Sequence, residues 1–148
     1  MTLTYSVQEY FCYDECMQKT VKPLPAHIQE YAFDFRWDNQ LVWGLEVQSE
    51  LMSVDELLWH FDIPWLHTEG ERFNLTPKDI MKSPLLYQEQ YERTMQSDLA
   101  YPIDVMENKG RWLILDGLHR LMKAVNEGET VVHVRKIPRT LIPNIAIK

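Results

Sequence analysis

Cysteine is nearly absent from this chain. Cys12 and Cys16 are its only two, spaced C-x3-C, with no second pair to complete a zinc site and too little separation for an ordinary structural disulfide. They read as two reduced thiols one turn apart on a helix, with a redox pair as the alternative. Long apolar runs are missing too: none approaches the ~20 residues that cross a bilayer. The N-terminus lacks the basic start and apolar centre of a signal peptide, so no membrane association and a cytoplasmic location are expected. Positive charge is in short supply, with 15 Lys and Arg against 22 Asp and Glu, a net charge of −7 and a pI near 5.2. Proteins that grip a phosphate backbone usually carry a basic face, so nucleic acid is not an expected partner.

What remains is the composition of one globular domain. The 148 residues are 45% hydrophobic and 25% charged, enough to bury a sizeable core. Ser6 followed by Glu9 has the form of a capping box and predicts a helix over Val7 to Lys19, broken by Pro23 and Pro25. From Tyr31 the pattern alternates: Tyr31, Phe33, Phe35 and Trp37, then, after Asp38-Asn39, Leu41, Trp43, Leu45 and Val47. Two alternating runs about a short polar turn predict a β-hairpin with one buried aromatic face. Trp and Tyr left exposed there would favour a dimer surface, so a homodimer stays open.

Ser53 and Glu56 allow a second capping box, predicting a helix over Val54 to His60. Asp62-Ile-Pro-Trp65 and the stretch from His67 to Phe73 read as a turn-rich loop dense in ionisable groups, the kind of segment where chemistry tends to sit. Thr76-Pro77-Lys78-Asp79 supplies an N-cap, a proline at N1 and an acid at N3. Ser83-Pro84 repeats the signal and opens a longer helix to about Ser97, with Arg93 on its polar side. Ile103 to Met106 reads as a strand, Glu107 to Gly110 as a turn, and the tail after Ile137, with Pro138 and Pro143, as too rich in proline for a helix.

The centre of the chain is Arg111 to Arg135. A buried strand (Trp112 to Leu115) meets an Asp116-Gly117 turn, then a short helix stopped at Gly128, then a strand over Val131 to Ile137. Leu118, Leu121, Met122 and Val125 recur at helical spacing, leaving His119, Arg120 and Lys123 on or beside the other face. Asp116 is placed to cap the helix and Gly128 to close it in the left-handed conformation. A helix joining two apolar strands predicts a right-handed crossover between parallel strands. The unsatisfied amides and positive dipole end at such a helix start favour an anion, most often phosphate. An imidazole and a guanidinium in the first turn add donors for it. A structural turn, capped by Asp116 and with His119 and Arg120 bonded to neighbouring carboxylates, is the plainer alternative.

The run YPIDVMENKGRWLILDGLHRLMKA, Tyr101 to Ala124, resembles the core of the ParB/sulfiredoxin-like superfamily, whose D-G-x-H-R-L or G-x-x-R type motif opens a helix and binds nucleotide phosphates. Leu118 stands where sulfiredoxins carry a reactive cysteine, and only a short tail follows Ile137, where partition ParB proteins continue into a helix-turn-helix domain. A free-serine-kinase branch, which keeps Asp-Gly-x-His-Arg, departs least from this sequence.

The resemblance implies an α+β fold, a mixed sheet with flanking helices over residues 51–148, with residues 1–50 as a helix and hairpin elaboration packed on it. It would make Ser53 to Leu57 the first core strand, in conflict with the helical pattern there. It implies ATP or ADP, with CTP in some branches, together with magnesium and a small hydroxyl-bearing acceptor. Gly117, Leu118, His119 and Arg120 would be the phosphate-side residues, with Arg93 facing the cleft. Asp116 would orient His119 or bind magnesium. A carboxylate among Asp62, Glu69 and Glu71 would act as base on the acceptor hydroxyl. A non-catalytic nucleotide- or protein-binding adaptor is the second expectation, and a nuclease the third.

Overall fold

The computed structural model describes residues 24–68 and 70–147. The expected first helix, both cysteines and Glu69 lie outside the described residues. The elements are helices α1 (Ala26–Gln29) and α2 (Asn39–Trp43), strand β1 (Ser49–Ser53), two 3-10 turns, strands β2 (Leu66–Thr68) and β3 (Glu71–Leu75), and helices α3 (Pro77–Lys82) and α4 (Gln88–Gln96). Strands β4 (Ile103–Asn108) and β5 (Arg111–Asp116), helix α5 (Leu118–Asn126), strand β6 (Val131–Lys136) and helix α6 (Ile142–Ile145) complete the chain. The architecture is mixed α and β, with a four-stranded mixed sheet and flanking helices. No helix among the described residues is long and apolar enough to cross a membrane.

The sheet runs β1-β6-β4-β5, with β4 parallel to β6 and the other neighbours antiparallel. This corrects the expected parallel crossover. The β4–β5 hairpin turns at Lys109 and Gly110, both at positive φ, and places β4 between β5 and β6, so α5 joins two strands that run in opposite directions.

Strands β4 and β5 are buried almost throughout, which requires cover on both faces. On one face Ile103, Val105 and Ile114 pack with Leu121 and Ala124 of α5. On the other Met106, Leu113 and Leu115 pack with Phe33, Trp37, Val42 and Ile145. α5 ends as sequence suggests: Gly128 has φ 80°, its N–H reaches Val125 O, and Glu129 N–H reaches Ala124 O, the paired bonds of a Schellman motif.

Several expectations are corrected here. Residues 31–47 form no hairpin. Asp38 caps α2, accepting from Gln40 N–H, and Trp37 Nε1 donates to buried Asn39. Residues 36–38 instead meet the C-terminal segment through a Trp37–Ala146 bridge. Phe33 and Trp37 are buried in one cluster with Phe35 packed against it, and Tyr31 packs against another, so the aromatics do not line one strand face. Over residues 54–62 there are 3-10 turns, the first capped by Ser53, while the strand lies just before them. The stretch from His67 to Phe73 is mostly the β2–β3 hairpin. Thr76 and Asp79 do form a capping box, but α4 begins at Gln88, four residues after Pro84. The tail holds a 3-10 turn and α6, with Pro143 in the first helical turn, where its missing N–H costs nothing.

Candidate functional site

Strand β5 ends at Asp116, and Gly117 turns the chain into α5 with φ 116°. A side chain at this position is disfavoured twice: by the left-handed φ, and because a Cβ would lie 3.2 Å from Arg120 Nε and from two atoms of Ile103. No side chain caps the start of α5, so its first amides lack helical acceptors at the positive end of the dipole.

Asp116 does not make the expected cap. Its Oδ2 accepts instead from Arg120 Nη2 at 3.0 Å and from Trp43 Nε1 at 2.6 Å. Its Oδ1 is buried without a hydrogen-bonding partner, and so is Arg120 Nε. Arg120 also donates from Nη1 to Pro102 O at 3.2 Å. Across the hairpin, the Asp104 carboxylate accepts from Arg135 Nε at 2.6 Å. Burial, with a smaller push from Asp116, raises the Asp104 pKa against the pull of Arg135.

Sequence placed His119 and Arg120 on or beside the polar face of α5; both are buried. α4 packs on α5 and covers His119, while Arg120 is drawn in by Asp116 and the Pro102 carbonyl. His119 Nε2 lies 2.9 Å from Gln90 Oε1, while Gln90 Nε2 donates to His67 O at 3.3 Å. With the amide oxygen facing the ring, Nε2 is the donor. Ser97 Oγ donates to His119 O at 3.3 Å. Burial lowers the His119 pKa to about 3, helped by the positive charges of Arg93 and Arg120. Arg93, largely buried, pairs with Glu89 Oε1 at 3.2 Å. Half-buried His67 is shifted the same way, first by burial and then by Arg93, with Glu89 opposing.

The fold thus gathers Asp116, Gly117, Leu118, His119, Arg120 and Arg93 about one turn. The loop carboxylates are elsewhere in the bonding pattern. Asp62 pairs with Lys78 at 2.8 Å, Glu71 accepts from Asn74, and both are exposed. Trp43 carried no sequence signal for the site, while His67, in the stretch dense in ionisable groups, and Gln90, on the helix of Arg93, carried only a general one. Trp43 is 73 positions from Asp116, and no spacing rule links them.

Among the described residues no group of three or more His, Cys, Asp and Glu side chains is arranged to hold a metal ion. Asp116 Oδ1 is the single unused carboxylate oxygen at the turn. That fits an ion held by one protein oxygen and otherwise by water and phosphate, as magnesium often is. An open hollow of about 550 Å³ beside Phe33, Phe35, Arg36 and Lys109 shares no residue with the turn. Compared with known proteins, the chain matches no family model, no curated protein and no solved structure.

Proposed function

We propose that the Asp116–Arg120 turn binds the phosphates of a nucleotide, and that the protein is a nucleotide-binding protein of ParB/sulfiredoxin type that moves a phosphoryl group to a small hydroxyl-bearing molecule. One observation carries this reading: Arg120, in the first turn of a helix that no side chain caps, holds its Nε buried without a hydrogen-bonding partner. A guanidinium and the positive dipole end of an uncapped helix start suit an anion, and phosphoryl transfer depends mainly on positioning and charge neutralisation.

The Gly117, Leu118 and His119 amides and Arg120 are the phosphate-side groups in this proposal. Magnesium would supply charge neutralisation on the phosphates, with Asp116 Oδ1 as its protein ligand. His119, held by Gln90 and buried, positions the turn rather than reaching the nucleotide. Asp62 or Glu71 would need to move to serve as base.

That burial favours a second reading, a non-catalytic adaptor that binds nucleotide without turning it over. Isothermal titration of ATP, ADP and CTP with magnesium, into the protein and into Arg120→Ala, tests the first step. Binding that the substitution abolishes is expected. Nucleotide binding without phosphate transfer to any acceptor in a panel of serine, threonine and small polyols would favour the adaptor. No heat with any nucleotide would sink both.

A further inference from the structure

We infer that the outer edge of β1 is a self-pairing surface: two copies of the chain join β1 to β1, antiparallel about Leu51, into one continuous sheet across a two-fold axis.

The sheet has two outer strands, and they are finished differently. At β5 the His60 ring takes the Ile114 N–H, filling the place of a neighbouring strand. β1 has no such cover. Val54 N–H donates to Thr130 O, in line with the unbroken β1–β6 register. Backbone groups alternate in direction along a strand, so those of Glu50 and Met52 turn towards β6 and those of Ser49, Leu51 and Ser53 turn away from it. Among the described residues no strand pairs with β1 on that side. The devices that usually blunt an edge are missing as well: β1 holds no proline and no lysine, and its ladder has no bulge.

What the edge presents fits a second copy. Ser49, Leu51 and Ser53 share one face, carry no charge and are exposed, Leu51 by 59%. In a chain with a net charge of −7, such an uncharged strip is where two copies can approach without repulsion. Glu50, the charged residue of β1, points to the other face and is answered by Lys136 at 3.2 Å. Charge also sets the register. Centred on Leu51, the pairing opposes Leu51 to Leu51, Ser49 to Ser53 and Glu50 to Met52; centred on Glu50, it would set two carboxylates against each other. In the favoured register Leu51 exchanges backbone bonds with its counterpart, and each Ser53 N–H donates to Ser49 O of the other copy. Val131, 44% exposed and diagonal to Leu51 on the same face, adds apolar surface beside the seam. An isologous contact of this kind closes on itself, so assembly stops at the dimer.

The test is size separation with light scattering over a range of concentrations, and amide hydrogen exchange on the same samples, for the parent protein, Leu51→Lys and Leu85→Lys. Thermal melts confirm that each variant is folded. The parent should pass from monomer to dimer as concentration rises, with the Leu51 and Ser53 amides gaining protection in step. Leu51→Lys sets two cations opposite each other and should raise the dissociation constant by roughly tenfold or more. Leu85, 91% exposed and outside the sheet, is the control, and Leu85→Lys should dimerise like the parent. A dimer that Leu51→Lys leaves intact would overturn the inference, as would one lost in Leu85→Lys, growth beyond two copies, or Leu51 and Ser53 protection that ignores concentration. A parent protein that stays monomeric up to about 1 mM would overturn it too. If those amides were then protected only on adding a synthetic Thr-Val repeat peptide, the edge would belong to a foreign strand.

Discussion

Asp104 and Asp116 face each other across β4 and β5 as register partners, and each is answered by a different arginine, Arg135 and Arg120. Two buried carboxylates on adjacent strands would repel in a low-dielectric interior if left alone. Their arginines do more than neutralise them. Arg135 also donates to Leu45 O and Val42 O, at 2.8 and 2.9 Å, and Asp116 also holds the Trp43 indole. The residues from Val42 to Leu45 are therefore fastened to the sheet through both pairs.

Arg135→Met should cost about 3–5 kcal/mol, the usual penalty for leaving one member of a buried pair without its partner. Asp104→Leu combined with Arg135→Met should cost markedly less. Urea unfolding of the single and double variants measures both. A single variant within about 1 kcal/mol of the parent would mean that the pair contributes little to the fold.

Gly117→Ala should destabilise the protein by about 1–3 kcal/mol, because a non-glycine residue is strained at this φ. The new methyl would also press on Arg120 Nε and Ile103. The same substitution at Gly128, also at positive φ but with nothing within 4 Å of the added Cβ, should cost only about 1 kcal/mol. Equal losses in thermal melts would show that the crowding at Gly117 is relieved without cost.

Stability should fall as the pH drops below neutrality. Burial lowers the pKa of both His60 and His119 from an ordinary value of 6.5 to about 3. Between those values the unfolded chain takes up protons that the folded protein refuses. The slope approaches ~1.4 kcal/mol per pH unit for each histidine. Asp104 works the other way: its raised pKa makes the folded state the better proton acceptor just above 3.8, which offsets part of the loss there. Denaturant unfolding at intervals from pH 7 to 4 gives the slope, and His119→Gln should flatten it. A flat profile in the parent protein would contradict the neutral, buried state of both rings.

His60→Phe should cost about 1–3 kcal/mol although it keeps an aromatic ring beside Trp59 and Trp65. His60 Nδ1 lies 2.8 Å from Leu57 O, and Nε2 accepts from Ile114 N–H at 3.2 Å. Ile114 lies on β5, an edge of the sheet, so the imidazole supplies the acceptor that a further strand would otherwise offer. Unfolding measurements give the cost, and static light scattering would register any new edge-to-edge association.

The segments legible in the sequence are those fixed by local chemistry. Thr76 and Asp79 make the capping box their spacing announces, Gly128 closes its helix, and the turn over Glu107 to Gly110 joins the two strands read on either side of it. The misreadings share a different cause. Alternating aromatics from Tyr31 to Trp37 satisfy a strand pattern, yet Phe33 and Trp37 are buried in one cluster while Tyr31 packs against another, and Asp38 caps a helix instead of turning a hairpin. The helical wheel of α5 marks one apolar stripe, but α4 covers a second side and takes His119 inward. At the candidate site, Asp116, Gly117, His119 and Arg120 are contiguous and could be singled out. Trp43, Gln90 and His67 reach the turn only through tertiary packing.

The fastening of residues 42–45 also bears on the order in which the chain acquires structure. Its bonds span 73, 90 and 93 positions, and their anchors lie on β5 and β6. A chain emerging from the ribosome cannot close this clasp until Arg135 has been made, and closure over such separations is slow. The amides of α2 are therefore expected to gain protection late in refolding and to lose it first in native-state hydrogen exchange, ahead of β4 and β5. Protection of α2 equal to that of the sheet would show instead that the clasp opens only when the whole molecule does.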